Sequence, residues 1–100
     1  MSNKTTCLIV DDEKLARDLL REFLADFPDL EIVDEAAQGT EAVQKINKLK
    51  PNLLFLDVQM PGMNGFDVLD EIEHEPYVIF TTAYDQYAIQ AFEKNAVDYV

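Results

Sequence analysis

The sequence predicts an α/β fold in which a parallel β-sheet carries helices on both faces. Apolar runs typical of buried strands alternate along the 100 residues with amphipathic stretches typical of helices. Two of these runs end in acidic residues: residues 7–10 precede Asp11 and Asp12, and residues 53–56 precede Asp57. Because open parallel sheets bind ligands at the carboxyl ends of their strands, these acids mark the candidate site.

The first half of the chain is expected to form two strands and two helices. Residues 7–10 are the first strand, and Asp12 is expected to cap a helix that closes before Pro28. That helix would carry one wide apolar stripe, formed by Leu15, Ala16, Leu19, Leu20, Phe23, Leu24 and Phe27. Residues 30–33 read as a short strand near a sheet edge. Thr40 is expected to cap a second helix, which stops at Pro51.

The second half is expected to complete the sheet. Residues 53–57 form the third strand, and Gly65 starts a short helix after a loop rich in proline and glycine. Residues 77–81 read as the fourth strand, residues 85–94 as a helix, and residues 97–100 as the start of a fifth strand. Right-handed crossovers then favour a doubly wound, flavodoxin-like sheet of order 2-1-3-4-5. In that order the first and third strands are neighbours.

The composition limits the classes of partner. With 20 acidic and 8 basic side chains, the chain has a net charge of -12, so direct binding of nucleic acid by this segment is not expected. No apolar run approaches the roughly 20 residues of a membrane span, and no signal peptide is expected. Cys7, in a predicted core strand, is expected to be a reduced, packed thiol of a cytoplasmic protein.

Asp11, Asp12 and Asp57 are predicted to converge at the carboxyl edge of the sheet. Two carboxylates about 4 Å apart repel each other by about 4 kcal/mol at an effective dielectric constant near 20. A bound cation would offset that repulsion, and an all-oxygen ligand set favours Mg²⁺. Taken singly, Asp12 could be an ordinary helix cap and Asp57 a turn former. The acids also disfavour a flavin phosphate site after the first strand, which needs N–H donors.

Three motifs resemble the receiver domain of two-component response regulators. They are Val10-Asp11-Asp12-Glu13, Leu56-Asp57-Val58-Gln59-Met60-Pro61-Gly62-Met63-Asn64-Gly65 and Phe80-Thr81-Thr82-Ala83. The resemblance covers nearly the whole chain and implies a CheY-like fold. Residues 82–88, with Ala91-Phe92 and Asn95-Ala96-Val97-Asp98-Tyr99, further resemble receivers joined to LytTR-type (LytR/AgrA-like) DNA-binding domains. The resemblance therefore also implies a role in controlling transcription.

The resemblance implies a chemical role for each acid. Asp57 would be the phosphoacceptor that attacks the phosphohistidine of a sensor histidine kinase. Asp12 and Asp57 would bind Mg²⁺ directly, with the backbone carbonyl of Gln59 as third protein ligand. Asp11 would act through a bound water molecule. The domain would not be a turnover enzyme on an external substrate, although it could catalyse its own dephosphorylation.

The resemblance also implies a switch. The Thr82 hydroxyl would move toward the phosphoryl group, the Ala83 backbone N–H would donate to it, and Tyr99 would be the switch aromatic. Phosphorylation would then bias the surface of the fourth helix and fifth strand, through which a homodimer could form. The plainer alternatives are that Thr82 caps a turn and that Tyr99 is static packing.

The chain is interpreted as one receiver domain, residues 1–100, truncated at its C-terminus. The lysine and fifth helix of the family would follow Val100. This form is therefore expected to phosphorylate slowly and to expose an apolar patch that favours dimerisation or strand exchange.

Two other functions compete with the receiver. One is an interaction module that never phosphorylates. The other is a Mg²⁺-dependent aspartyl-phosphate phosphatase, which is disfavoured because such enzymes carry a second acid two residues after the nucleophile. Here that position is Gln59.

Overall fold

The sheet of this protein is parallel throughout. The structure, a computed structural model, describes residues 4–81 and the strand at residues 98–99. Its strands are β1 (Thr5–Val10), β2 (Leu30–Ala36), β3 (Leu53–Leu56), β4 (Tyr77–Phe80) and β5 (Asp98–Tyr99). They lie in the order β2-β1-β3-β4-β5, and each pairs in parallel with its neighbour. The predicted fold class and strand order are confirmed.

Helices cover both faces of the sheet. They are α1 (Lys14–Leu24), α2 (Gly39–Leu49) and α3 (Gly65–Glu71) within the described residues. Side chains alternate along a strand, so Leu8 and Val10 of β1 face α2 and α3, whereas Cys7 and Ile9 face α1. The predicted helix at residues 85–94 lies outside the described residues. None of the helices that the structure describes is long and apolar enough to cross a membrane.

The register of the strands aligns their carboxyl ends. Val10 pairs with Leu56, Leu56 pairs with Phe80, and Phe80 pairs with Tyr99. All four residues close their strands at one level. The residues that follow them therefore leave the sheet side by side.

The predicted helix caps were wrong. Helix α1 has Glu13 at its N-cap position, and no side chain caps it. Asp12 is excluded from this role because Asp11 makes the local turn, accepting a 2.9 Å hydrogen bond from the Glu13 N–H. Helix α2 begins at Gly39 with Gln38 at the N-cap position, so Thr40 lies inside the first turn.

The apolar stripe of α1 is only half buried. Leu24 is 6% exposed, whereas Leu15 is 69% exposed and Phe23 is 61% exposed. The stripe consists of two rows with a four-residue spacing, and only the row that includes Leu20 and Leu24 packs against the sheet. The predicted stripe is therefore divided into one row that packs against the sheet and another, which includes Leu15, Leu19 and Phe23, that is exposed among the described residues.

Strand β2 is longer than predicted, running to Ala36 rather than Val33. Its polar residues Asp34 and Glu35 form ion pairs with basic side chains of the flanking helices. Lys45 lies 3.2 Å from Asp34, and both Arg17 and Arg21 pair with Glu35. Charged side chains that look unfavourable for a half-buried strand are thus each satisfied by a partner.

Helix α3 begins at Gly65, as predicted, through a capping box. The Asn64 side chain accepts from the Asp67 N–H at 2.9 Å, and the Asp67 carboxylate accepts from the Asn64 N–H at 3.0 Å. We expect Asn64→Ala to lower the free energy of unfolding by about 1 kcal/mol, because an N-terminal N–H loses its acceptor. Urea denaturation measures this, with the exposed Gln44→Ala in α2 as a control. An unchanged midpoint would contradict the role of the cap.

Candidate functional site

Backbone hydrogen bonds extend the sheet by one residue at the edge where the strands end. The Asp57 N–H donates to the Val10 carbonyl at 3.0 Å, and the Asp11 N–H donates to the Ala36 carbonyl at 3.1 Å. In the same way, the Thr81 N–H donates to the Leu56 carbonyl at 3.0 Å. Asp11 and Asp57 are therefore fixed to the rigid sheet, although they follow the strands.

Each of the two central carboxylates makes one local hydrogen bond. The Asp11 Oδ1 atom accepts from the Glu13 N–H at 2.9 Å, and the Asp57 Oδ1 atom accepts from the Gln59 N–H at 3.2 Å. Among the described residues, no donor forms a hydrogen bond with the second oxygen of either carboxylate. Within that part of the chain, no donor competes with a ligand for those oxygens.

The structure brings together the three acids that the sequence singled out. One carboxylate oxygen from each of Asp11, Asp12 and Asp57 lies within 4.8 Å of the other two. Two ligands on opposite sides of Mg²⁺ are about 4.2 Å apart, so small side-chain rotations suffice for direct or water-mediated binding. Hard oxygen donors at this spacing suit Mg²⁺, and the cluster can hold a metal ion.

Burial strongly perturbs the central acid. It raises the pKa of Asp57 from 3.8 to about 6, and the neighbouring Asp11 charge adds to the effect. Burial also raises the pKa of Asp11, with the Asp12 charge as a smaller contribution. Repulsion between carboxylates was expected from the sequence, but loss of hydration is the larger cause of the raised pKa at both positions. A divalent cation would oppose both effects.

The other predicted site residues are placed less completely. Gln59 is exposed, and its backbone N–H orients the Asp57 carboxylate. Tyr99 lies on β5, where its backbone pairs with Phe80 of β4. Thr82 and Ala83 lie outside the described residues. Their roles, like the ligand roles of the acids, stay predictions.

Arg17 is a residue near the site that the sequence patterns did not reveal. Its Nη1 atom donates to the backbone carbonyl of Asp11 at 2.7 Å, and its Nε atom donates to Glu35 Oε1 at 2.8 Å. The signal was its position in α1: Arg17 shares a helix face with Leu20 and Leu24, which pack against the sheet. A cation on a buried helix face needs partners, and here one of them belongs to the candidate site.

Comparison with known proteins gives one consistent result. Residues 7–100 match the family of response regulator receiver domains. The transcriptional regulatory protein BtsR of Escherichia coli K12 is 50% identical over 95 residues, which cover 93% of this chain and 40% of that protein. An uncharacterized response regulatory protein of Vibrio cholerae is 47% identical over 97 residues, covering 95% of this chain and 41% of the relative. The chain thus spans well under half the length of these relatives.

Solved structures show the same fold. The response regulatory domain of protein mrkE from Klebsiella pneumoniae superposes with a TM-score of 0.85 at 30% identity, covering 95% of this chain and 80% of that one. The response regulator domain of Thermotoga maritima CheB has a TM-score of 0.80 at 29% identity, with coverage of 97% and 77%.

Proposed function

Since this chain belongs to the family of response regulator receiver domains, we propose that it accepts a phosphoryl group on Asp57 from a sensor histidine kinase, with Mg²⁺ as cofactor. The observation that carries the proposal is the cluster at the edge of the sheet. Asp57 is fixed to β1 by a 3.0 Å backbone hydrogen bond, and its carboxylate lies beside those of Asp11 and Asp12.

The acids are proposed to have different roles in phosphoryl transfer. Asp12, Asp57 and the Gln59 carbonyl would hold the metal directly, and Asp11 would hold it through water. When bound, Mg²⁺ neutralises charge on the phosphoryl oxygens, which is the main requirement of this chemistry. An Asp57 carboxylate oxygen forms the new bond to phosphorus while the bond from phosphorus to the kinase histidine nitrogen breaks. The nitrogen leaves with the electron pair, and the product is an aspartyl phosphate.

Ionisation of Asp57 fits this role. The pKa of about 6 in the metal-free protein leaves most molecules ionised near pH 7.5 and therefore nucleophilic. A partly buried carboxylate is also less hydrated, so less water must be displaced when the donor approaches.

The switch is proposed to involve residues after β4 and on β5. The Thr82 hydroxyl and the Ala83 N–H would contact the phosphoryl group, and Tyr99 would respond on the adjacent strand. The support is that the Thr81 N–H bond to Leu56 fixes the end of β4 against the strand that leads to Asp57. The surface of the fourth helix and β5 would then change its affinity for a partner, including a second copy of the chain.

In the whole protein, the receiver is proposed to control a DNA-binding domain of the LytTR type and so regulate transcription in the cytoplasm. The relative BtsR is named a transcriptional regulatory protein, and residues 82–88, 91–92 and 95–99 resemble the corresponding segments of receivers joined to LytTR-type domains. With a net charge of -12, this segment would leave DNA contact to the output domain. The receiver itself would be a switch rather than a turnover enzyme.

The test is the intact mass of the chain after incubation with acetyl phosphate. We expect a gain of one phosphoryl group with Mg²⁺ and none with excess chelator, because the repulsion between donor and acids is then uncompensated. Hydroxylamine should remove the group, since it cleaves acyl phosphates but not phosphate esters of serine or threonine. A protein that binds Mg²⁺ without gaining mass, or that binds no Mg²⁺, would instead be an interaction module.

A further inference from the structure

We propose that Arg17 is a positioning residue for the acidic site, holding the junction of β1 and α1 so that the Asp11 carboxylate faces the cation. The inference rests on the proposed Mg²⁺ site. It concerns a residue that is not among the proposed metal ligands and that acts through the backbone of Asp11.

Arg17 links the end of β1, where Asp11 lies, to Glu35 on the neighbouring strand β2. Its side chain is 15% exposed and makes two hydrogen bonds in different directions, to the Asp11 carbonyl at 2.7 Å and to Glu35 Oε1 at 2.8 Å. The Asp11 N–H is bound to the Ala36 carbonyl at 3.1 Å. Both peptide groups that flank the Asp11 Cα atom are therefore held, one by strand β2 and the other by Arg17.

Glu35 is itself a firm anchor. Its carboxylate also pairs with Arg21, and its backbone carbonyl accepts from Lys45 Nζ at 2.6 Å. Glu35 is thus fixed by both α1 and α2. Arg17 transmits that rigidity to Asp11 because the planar guanidinium group holds two acceptors at a set angle.

Charge and positioning predict opposite effects on cation binding. The guanidinium group is positive and lies near the acids, so its charge alone repels Mg²⁺, and its removal would strengthen binding. If the contact with the Asp11 carbonyl matters more, removal frees the turn and weakens binding. The sign of the change in Mg²⁺ affinity therefore distinguishes the two roles.

The test compares Arg17→Ala and Arg17→Lys with Arg21→Ala in the 100-residue chain, by calorimetric titration with Mg²⁺. Arg21 is the matched control because it pairs with the same Glu35 carboxylate but, among the described contacts, donates no hydrogen bond to Asp11. We expect Arg17→Ala to raise the Kd for Mg²⁺ about tenfold, as for loss of a residue that orients a metal ligand. Arg17→Lys should also raise the Kd, because lysine keeps the positive charge but lacks the planar guanidinium group that binds two acceptors at once. Arg21→Ala should leave the Kd nearly unchanged.

A second measurement needs no metal. The Glu13 N–H donates to the Asp11 carboxylate, so its hydrogen exchange reports how well that side chain is held. Exchange should accelerate in Arg17→Ala and Arg17→Lys but not in Arg21→Ala. Unchanged or tighter Mg²⁺ binding in the Arg17 variants, or equal effects of Arg17 and Arg21 on exchange, would overturn the proposal. A wild-type chain that binds no Mg²⁺ would overturn the proposed metal site, while the exchange data would still decide the role of Arg17.

Discussion

The Asp57→Asn variant is expected to take up no phosphoryl group, yet to be more stable than the wild type by about 1 to 2 kcal/mol in metal-free solution near pH 7.5. The loss of uptake is complete because an amide is not a nucleophile toward phosphorus. The gain in stability arises because burial and the Asp11 charge raise the pKa of Asp57 to about 6. At neutral pH the folded protein must therefore keep this carboxylate ionised in an unfavourable environment, whereas asparagine carries no charge.

The pH dependence follows from the direction of the pKa shift. Between pH 3.8 and about 6, the folded state binds the Asp57 proton while the unfolded state releases it. The contribution of Asp57 to the free energy of unfolding of the wild type thus falls as the pH rises through that window, and it levels off above about pH 6. The Asn variant lacks this slope, so its advantage should vanish near about pH 4. Urea denaturation with chelator, across about pH 4 to 8, measures the difference.

Magnesium should reverse the order of the two proteins. A ligand at a hundred times its Kd stabilises the state that binds it by about 2.7 kcal/mol, which exceeds the advantage of the variant. The wild type gains this stabilisation, whereas the variant lacks one carboxylate ligand. Asp26→Asn, at an exposed position in the turn after α1, is a control that should change neither uptake nor stability. Retained uptake in Asp57→Asn, or lower stability without metal, would contradict the assignment of Asp57.

The features that the sequence could predict are those determined by buried runs. Residues 53–56 are apolar in succession, which indicates a strand covered on both faces, and the position of Asp57 follows directly. The strand order then placed Asp57 beside Asp11 without any knowledge of side-chain contacts. The cluster was predictable because the backbone of a parallel sheet determines where strands end.

The sequence could not predict features for which several local arrangements have similar energies. Asp11, Asp12 and Glu13 all precede α1, and only the three-dimensional turn decides which side chain receives the N–H. The two apolar rows of α1 likewise look equivalent until the sheet selects one. The Arg17 contact required Glu35, which lies 18 residues away on a strand whose length was underestimated. Long-range polar pairing of this kind leaves little periodic signal.

The substitution expected to be most destructive is Gly65→Ala, at the first residue of α3. A Cβ atom there would lie 2.7 Å from the Asp57 carbonyl oxygen and 3.1 Å from the Val58 Cα atom. Both neighbours are backbone atoms held by the sheet and the loop, so neither can move away without loss of stability. We expect the free energy of unfolding to fall by about 3 kcal/mol, as for overpacking of a rigid core.

Gly62→Ala provides the matched control for that substitution, because the same methyl group is added two residues before the start of the Asn64 cap. Gly62 has φ +80°, and a Cβ atom there would meet nothing within 4 Å. Gly62→Ala should lower the free energy of unfolding by about 1 kcal/mol, from backbone strain alone.

The two variants should also differ in function. Gly65→Ala displaces the peptide that follows Asp57 and should slow phosphorylation, whereas Gly62→Ala should not. Urea denaturation and the rate of phosphoryl uptake measure both effects. Equal losses of stability would show that the loop moves to admit the methyl group, and that close packing at Gly65 does not position Asp57.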